Sequence, residues 1–158
     1  MLTLCRVSRS AVCCVANYLF PQGRVVSGDK AVLEDVLAKA TAAGALQAKM
    51  LPVSGAFHTS RMASAAGALK AVLAEVTFRT PRIPVYSNVT GEPFSDAEAI
   101  PGLLARQLTE AVLWEGSIKA LVAAGKNQLY ELGPGQQIKA MVKRIDPNAW
   151  AATKNINP

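Results

Sequence analysis

Gly55-Ala56-Phe57-His58 carries the single histidine of the 158-residue chain. An imidazole is the one side chain whose unperturbed pKa lies near neutrality, so it can take and return a proton at physiological pH. General acid–base transfer of this kind typically contributes ~10²–10⁴ in rate. His58 follows the apolar run Met50-Leu51-Pro52-Val53 and precedes a helix that opens near Arg61. A histidine in such a strand-to-helix turn is exposed enough to reach a substrate and held firmly enough to aim. A base alone does not transfer a group, and no Gly-x-Ser-x-Gly elbow occurs in the sequence: Ser27 lies in Val-Val-Ser-Gly-Asp and Ser54 in Pro-Val-Ser-Gly-Ala. A thiol partner, Cys13 or Cys14, would require a separate strand to meet the histidine turn.

The elements that must position His58 follow from periodicity and turn signals. Val12 to Leu19 reads as a strand, Pro21-Gln22-Gly23 as a turn and Val25 to Ser27 as a second strand. Gly28-Asp29 marks a turn or helix N-cap, and a helix is expected from Lys30 to Ala43 with Ala31, Val32, Val36, Leu37 and Ala40 on one face. Gly44 is a natural helix stop, and Ala48 to Val53 is expected to be the next strand. After His58, helices are expected over Arg61–Leu73, Ile100–Ala111, Trp114–Ala123 and Gln136–Ile145. Between them lie an extended Pro81–Ser87 segment, a turn at Thr90–Pro93 and a buried strand over Gln128–Leu132. The segment after Asp146 reads as an irregular tail. Alternating strand and helix in the second half is the pattern of a parallel sheet with covering helices. It supplies only about two strands, so the chain reads as the C-terminal portion of a larger α/β domain.

Composition narrows the chemistry. Apolar residues make up 51% and charged residues 18%, a globular balance. No apolar run approaches the ~20 residues of a spanning helix, so no membrane is expected. The net charge of +6 favours an anionic partner. The bases are scattered and aromatics are 6%, with no zinc spacing or RNA-binding signature, so nucleic acid is not expected. Cys5, Cys13 and Cys14 crowd the N-terminus, where an odd count and adjacent members suit reduced thiols better than bridges or a metal. Met1 to Ser10 holds Arg6 and Arg9 and no acid, a transit-peptide-like run that an arbitrary starting methionine would also give.

Several segments together carry a resemblance. They are Ala16-Asn17, Val26-Ser27-Gly28, Leu51-Pro52-Val53-Ser54-Gly55-Ala56-Phe57-His58, Pro84-Val85-Tyr86-Ser87-Asn88-Val89, Arg106-Gln107-Leu108, Val112-Leu113-Trp114 and Tyr130-Glu131-Leu132-Gly133-Pro134-Gly135. In this order and at these gaps, from about Ala11 to Trp150, they resemble the malonyl-CoA:acyl carrier protein transacylases. The resemblance implies the C-terminal part of an α/β-hydrolase-like acyltransferase domain plus part of a ferredoxin-like inserted subdomain. It divides the chain into an extension at 1–10, the partial small subdomain at 11–53, the large-subdomain part at 54–150 and a tail at 151–158.

The same resemblance implies roles. His58 would be the base of an acyl-serine mechanism, and Gln107 the glutamine whose main-chain carbonyl orients it in place of a triad acid. Asn88 and Phe57 would lie at the substrate. The Ala-Phe-His pattern accompanies malonyl in related acyltransferase domains, where the ring would clash with an α-branched acyl group. Gly133-Pro134-Gly135 would be a tight turn beneath the site, or a helix N-terminus open to an anion. Read from the residues alone, Lys139, Lys143 and Arg144 form a cationic face of the last helix, either a solvated face with bases near the helix C-terminus or a surface toward an acidic carrier or the phosphates of coenzyme A. The implied reaction moves malonyl from malonyl-CoA to the phosphopantetheine thiol of acyl carrier protein in fatty-acid biosynthesis. The coenzyme A thioester is a substrate, no cofactor is needed and the protein acts as a monomer. The serine elbow, the oxyanion-hole loop and the carboxylate-binding arginine of that family are not among the 158 residues. The alternative is therefore a non-catalytic or vestigial chain that at most binds acyl carrier protein. The wording of Tyr86–Pro93 points to a plastid, with a mitochondrion or a bacterial cytoplasm as alternatives.

Overall fold

The computed structural model describes residues 11–157. The expected extension at 1–10, with Cys5, lies outside the described residues. The chain begins with an antiparallel hairpin, β1 (Cys13–Phe20) and β2 (Gly23–Gly28), joined by a two-residue turn. Cys13 faces Gly28 and Phe20 faces Gly23, with register breaks between Val15 and Asn17 and between Tyr18 and Phe20. The first break turns β1 toward a second neighbour. Asn17 bridges Val112 in parallel, Tyr18 N donates to Val112 O at 2.9 Å and Val112 N to Ala16 O at 2.8 Å. Ala16, 1% exposed, is small enough to sit under that junction. Gly28 closes the hairpin because a Cβ there would lie 2.0 Å from Val12 O.

Helix α1 (Lys30–Ala42) follows, with Val36 buried as its apolar periodicity requires. Gly44, at φ +81°, ends it as expected. A 3₁₀ turn (Ser60–Met62) leads into α2 (Ala63–Leu73); then come α3 (Ala99–Arg106), α4 (Trp114–Ala123), β3 (Tyr130–Leu132), α5 (Gln137–Ile145), α6 (Pro147–Ala151) and β4 (Lys154–Ile156). The core cluster is Ile118, Val142 and Ala149, with Trp114, Leu121, Ile145 and Trp150 packed around it. It therefore joins α4, α5 and α6.

Four expectations change. Residues 48–53 form no strand and are exposed, Val53 at 65%. They carry the apolar run Met50-Leu51-Pro52-Val53, but among the described residues no strand takes their backbone groups. The helix expected over Ile100–Ala111 stops at Arg106, because the following carbonyls turn toward His58. Of the strand expected over Gln128–Leu132, only Tyr130–Leu132 is extended. It buries Glu131 rather than its apolar residues: Tyr130 is 52% and Leu132 76% exposed. The expected tail is ordered. Asp146 Oδ1 accepts from Asn148 N and Ala149 N at 2.8 and 2.9 Å, with Pro147 at the first helical position, so α6 forms. β4 then pairs in parallel with β3, Leu132 against Ile156. The short Asp-Pro start and three-residue strand gave too little periodicity to see beforehand.

Candidate active site

His58 occupies a position that only its surroundings can hold. Among the described residues it is the one non-glycine with positive φ, at 63°. Left-handed backbone costs an L-residue about 1–2 kcal/mol. The turn is fixed from several sides. His58 N donates to Leu108 O at 2.9 Å. Thr59, 1% exposed, donates from Oγ1 to Ala56 O at 2.7 Å and accepts from Arg61 N at 3.1 Å, stitching the turn on both flanks. Cys14 Sγ donates to His58 O at 3.7 Å. The strand and the histidine turn do meet, but this contact reaches the main chain of His58 and not its ring.

The ring is set by backbone carbonyls. His58 Nδ1 lies 2.7 Å from Gln107 O and 3.2 Å from Glu110 O. A carbonyl can only accept, so Nδ1 carries the hydrogen and the neutral ring has its lone pair on Nε2. That is the tautomer a proton acceptor needs. The carbonyls come from the unwound end of α3. Arg106 stabilises that turn by a bidentate pair to Glu110, 2.7 and 2.9 Å. The pair holds the Glu110 carboxyl below its ordinary value, through the Arg106 hydrogen bond first and its charge second, and raises Arg106. Arg106 and Glu110 are each about half exposed, so the pair contributes less than its geometry suggests.

Asn88 joins this group. Its carbonyl accepts from Leu113 N at 2.8 Å, fixing it over the start of α4, and its side-chain Nδ2 is 3.5 Å from Gln107 Oε1. The turn beneath it is tied by buried Ser87, whose N donates to Glu92 O and whose Oγ accepts from Val89 N. His58, Gln107 and Asn88 therefore form one patch built from three separate turns. Phe57 stands beside His58, 40% exposed.

The Gly133–Gly135 turn is organised by its own chain. Glu131 Oε1 accepts from Ile138 N and Oε2 from Lys139 N, each at 3.0 Å, so a resident carboxylate fills the N-terminus of α5. The open anion position considered above is occupied. Asn155 Nδ2 reaches the carbonyls of Glu131, Gly133 and Gly135 at 3.3, 3.2 and 2.6 Å. The basic face is also partly engaged: Lys143 stacks over Trp150 at 4.4 Å and Arg144 over Phe20 at 4.6 Å. Among the described residues no cluster of His, Cys, Asp or Glu could hold a metal ion, and no helix is long and apolar enough to cross a membrane.

Sequence reading missed Glu131, the carbonyls of Leu108 and Glu110, and an ion pair between Arg61 and Asp29. These partners lie far apart in sequence or act through the backbone, where side-chain identity leaves no mark. The cap on α5 leaves only one trace, an acid a few residues before a helix whose own N-cap residue, Gln136, makes no side-chain cap.

No family model matches the chain. Individual relatives do. The chain is 35% identical over 150 residues to the mitochondrial malonyl-CoA-acyl carrier protein transacylase of Mus musculus, covering 92% of this chain and 39% of the relative. It is 39% identical over 139 residues to the transacylase of Salmonella typhimurium, covering 88% and 45%. The crystal structure of the transacylase of Xanthomonas oryzae pv. oryzae superposes with a TM-score of 0.92 at 32% identity, covering 99% of this chain and 50% of that one. The chain is homologous to part of a malonyl-CoA:acyl carrier protein transacylase.

It spans less than half the length of the curated relatives it matches. The shared fold is the mixed helix and strand of these acyltransferases, as the resemblance implied. A malonyl-transacylase solved with a type II polyketide synthase acyl-carrier protein also matches, with a TM-score of 0.89 at 31% identity over 99% of this chain. The relatives named are mitochondrial or bacterial. The plastid expectation finds no support in them.

Proposed function

We propose that this chain is the base-bearing part of a malonyl transferase that moves malonyl from malonyl-CoA to the phosphopantetheine thiol of acyl carrier protein. The observation that carries this is the 2.7 Å contact between His58 Nδ1 and Gln107 O, which presents Nε2 as a proton acceptor on an accessible turn. His58 would take the proton from a serine hydroxyl as it attacks the thioester, and return it to the departing coenzyme A thiolate. It would repeat both steps when the carrier thiol attacks the acyl-serine. Gln107 acts through its carbonyl, where other triads use a carboxylate. The serine itself must come from a Gly-His-Ser-x-Gly elbow that the 158 residues do not contain.

Asn88 and Phe57 border the acyl position in this reading. The Phe57 ring excludes an α-methyl branch and so favours malonyl over methylmalonyl. The net charge of +6 suits an acidic carrier and the phosphates of coenzyme A. The protein acts as a monomer without a cofactor. For location we keep the plastid on the strength of residues 86–93 alone, beside the mitochondrial and bacterial settings of the relatives.

The test is a chimaera in which this chain replaces the matching half of the Xanthomonas oryzae transacylase, assayed for malonyl transfer from malonyl-CoA to carrier protein. The reading predicts activity that falls ~10²–10⁴-fold on His58→Ala. A folded, active chimaera whose rate is unchanged by His58→Ala would overturn it.

A further inference from the structure

Asp29 holds the N-cap position of α1, yet its side chain makes no cap hydrogen bond. Asp is among the residues best suited to that role, so its absence from it is informative. The carboxylate is turned elsewhere. Oδ1 accepts from Arg61 Nε at 2.8 Å and Oδ2 from Arg61 Nη2 at 2.7 Å, a two-pronged pair, and Oδ2 also accepts from Val12 N at 2.9 Å. The Asp29 main chain is fixed as well, its N donating to Val12 O at 2.8 Å. Asp29 is thus built into the base of the hairpin and the start of α1, and it grips Arg61.

Arg61 is three residues after His58. Its backbone N–H is bound by Thr59 Oγ1, so guanidinium and main chain are held at once. On the other side, His58 N and Nδ1 are held by carbonyls following α3. The strained His58 turn is therefore suspended between two anchors: the α3 end and, through Arg61, the hairpin. Arg–carboxylate forks add direction as well as attraction, which a lysine would not reproduce.

We propose that Arg61 and Asp29 are positioning residues for His58, and that their fork keeps the imidazole seated on Gln107 O in its Nδ1–H tautomer. The proposal rests on the reading of His58 as a base only for its consequence in catalysis; the positioning itself is read separately. His58 is the single histidine, so its ring nitrogens are unambiguous in long-range ¹H–¹⁵N spectra of the ¹⁵N-labelled 158-residue chain at a pH where the ring is neutral.

The expected result is a wild-type ring protonated at Nδ1, and an about fivefold fall in the ratio of Nδ1–H to Nε2–H forms in Arg61→Leu and in Asp29→Asn, the worth of one ordinary hydrogen bond. Arg61→Lys should fall between them and wild type. Asp96→Asn, which removes a surface carboxylate that caps α3 instead, should leave the ratio unchanged. If Arg61→Leu unfolds, Arg61→Lys and Asp29→Asn carry the test. Folded variants of Arg61 and Asp29 that keep the wild-type ratio would overturn the proposal. A base role that fails in the chimaera would leave this ratio, and so the proposal, standing.

Discussion

Removing the Glu131 carboxylate should destabilise the fold more than any surface substitution. Glu131 is 7% exposed, and its two carboxylate oxygens each accept one backbone N–H of α5 at 3.0 Å. Hydrogen bonds to a charged group contribute about 1.5–3 kcal/mol each. The favourable charge at a helix N-terminus adds about 0.3–1 kcal/mol. Water can reach the vacated amides in part, which reduces the sum. Glu131→Ala is therefore expected to cost about 3–5 kcal/mol, a large share of the 5–15 kcal/mol of a typical domain. Glu131→Gln keeps one acceptor but turns an NH₂ toward the helix end, and should cost about 2–3 kcal/mol. The assay is urea unfolding followed by the fluorescence of Trp114 and Trp150, both packed on the cluster that contains Val142 of α5. The midpoint should drop with an unchanged slope. A Glu131→Ala protein within about 1 kcal/mol of wild type would show that the α5 terminus is satisfied by other groups and that the cap reasoning is wrong.

Two further outcomes test the site's backbone and its ion pair. His58→Gly and His58→Ala remove the same ring, but only Gly relieves φ 63°, so the Gly protein should be the more stable by about 1 kcal/mol in thermal melts; equal stability would remove the strain argument. The Arg61 hydrogen bond, then the Val12 N–H, hold the Asp29 carboxyl below its ordinary value. The unfolded chain therefore takes up the proton first as pH falls. The stability difference between wild type and Asp29→Asn should be complete above the ordinary carboxylate range, near 4, and vanish as pH drops through the depressed folded value. A difference that persists unchanged to pH 2 would count against the pair.

The proximity of His58 and Gln107 was legible because the segments around both match one family pattern in order and spacing, and the structure places Nδ1 of one 2.7 Å from the carbonyl of the other. Helices α1, α2 and α4 were legible from an apolar face with a clear stop, as at Gly44. Residues 48–53 misled because an apolar run specifies a strand only where another strand accepts its hydrogen bonds, and among the described residues none does. The end of α3 misled for the opposite reason. Its sequence remains helical in pattern through Ala111, but tertiary bonds from His58 to the carbonyls of Gln107 and Leu108 outweigh local propensity. Pairs such as Asp29–Arg61, 32 residues apart, leave no periodic signal at all.

A histidine at positive φ is a poor local choice, and the surrounding bonds explain why it persists. His58 makes its two shortest hydrogen bonds to consecutive residues of one unwound turn, N to Leu108 O and Nδ1 to Gln107 O, with Glu110 O 3.2 Å from Nδ1 and Cys14 Sγ 3.7 Å from His58 O as weaker contacts. At about 0.5–1.5 kcal/mol each, they offset about 1–3 kcal/mol, little more than the strain itself. On that narrow balance the ring is weakly held, and a ring that leaves Gln107 O loses the preference for its Nδ1–H tautomer. Further constraint comes from the flanks, where Thr59 bridges Ala56 and Arg61 and the Arg61 fork reaches Asp29. Strained residues persist where the structure around them over-determines their conformation. The fold thus separates two tasks: the end of α3 selects which nitrogen of His58 carries the proton, and the hairpin, through Arg61, keeps the ring where that selection applies.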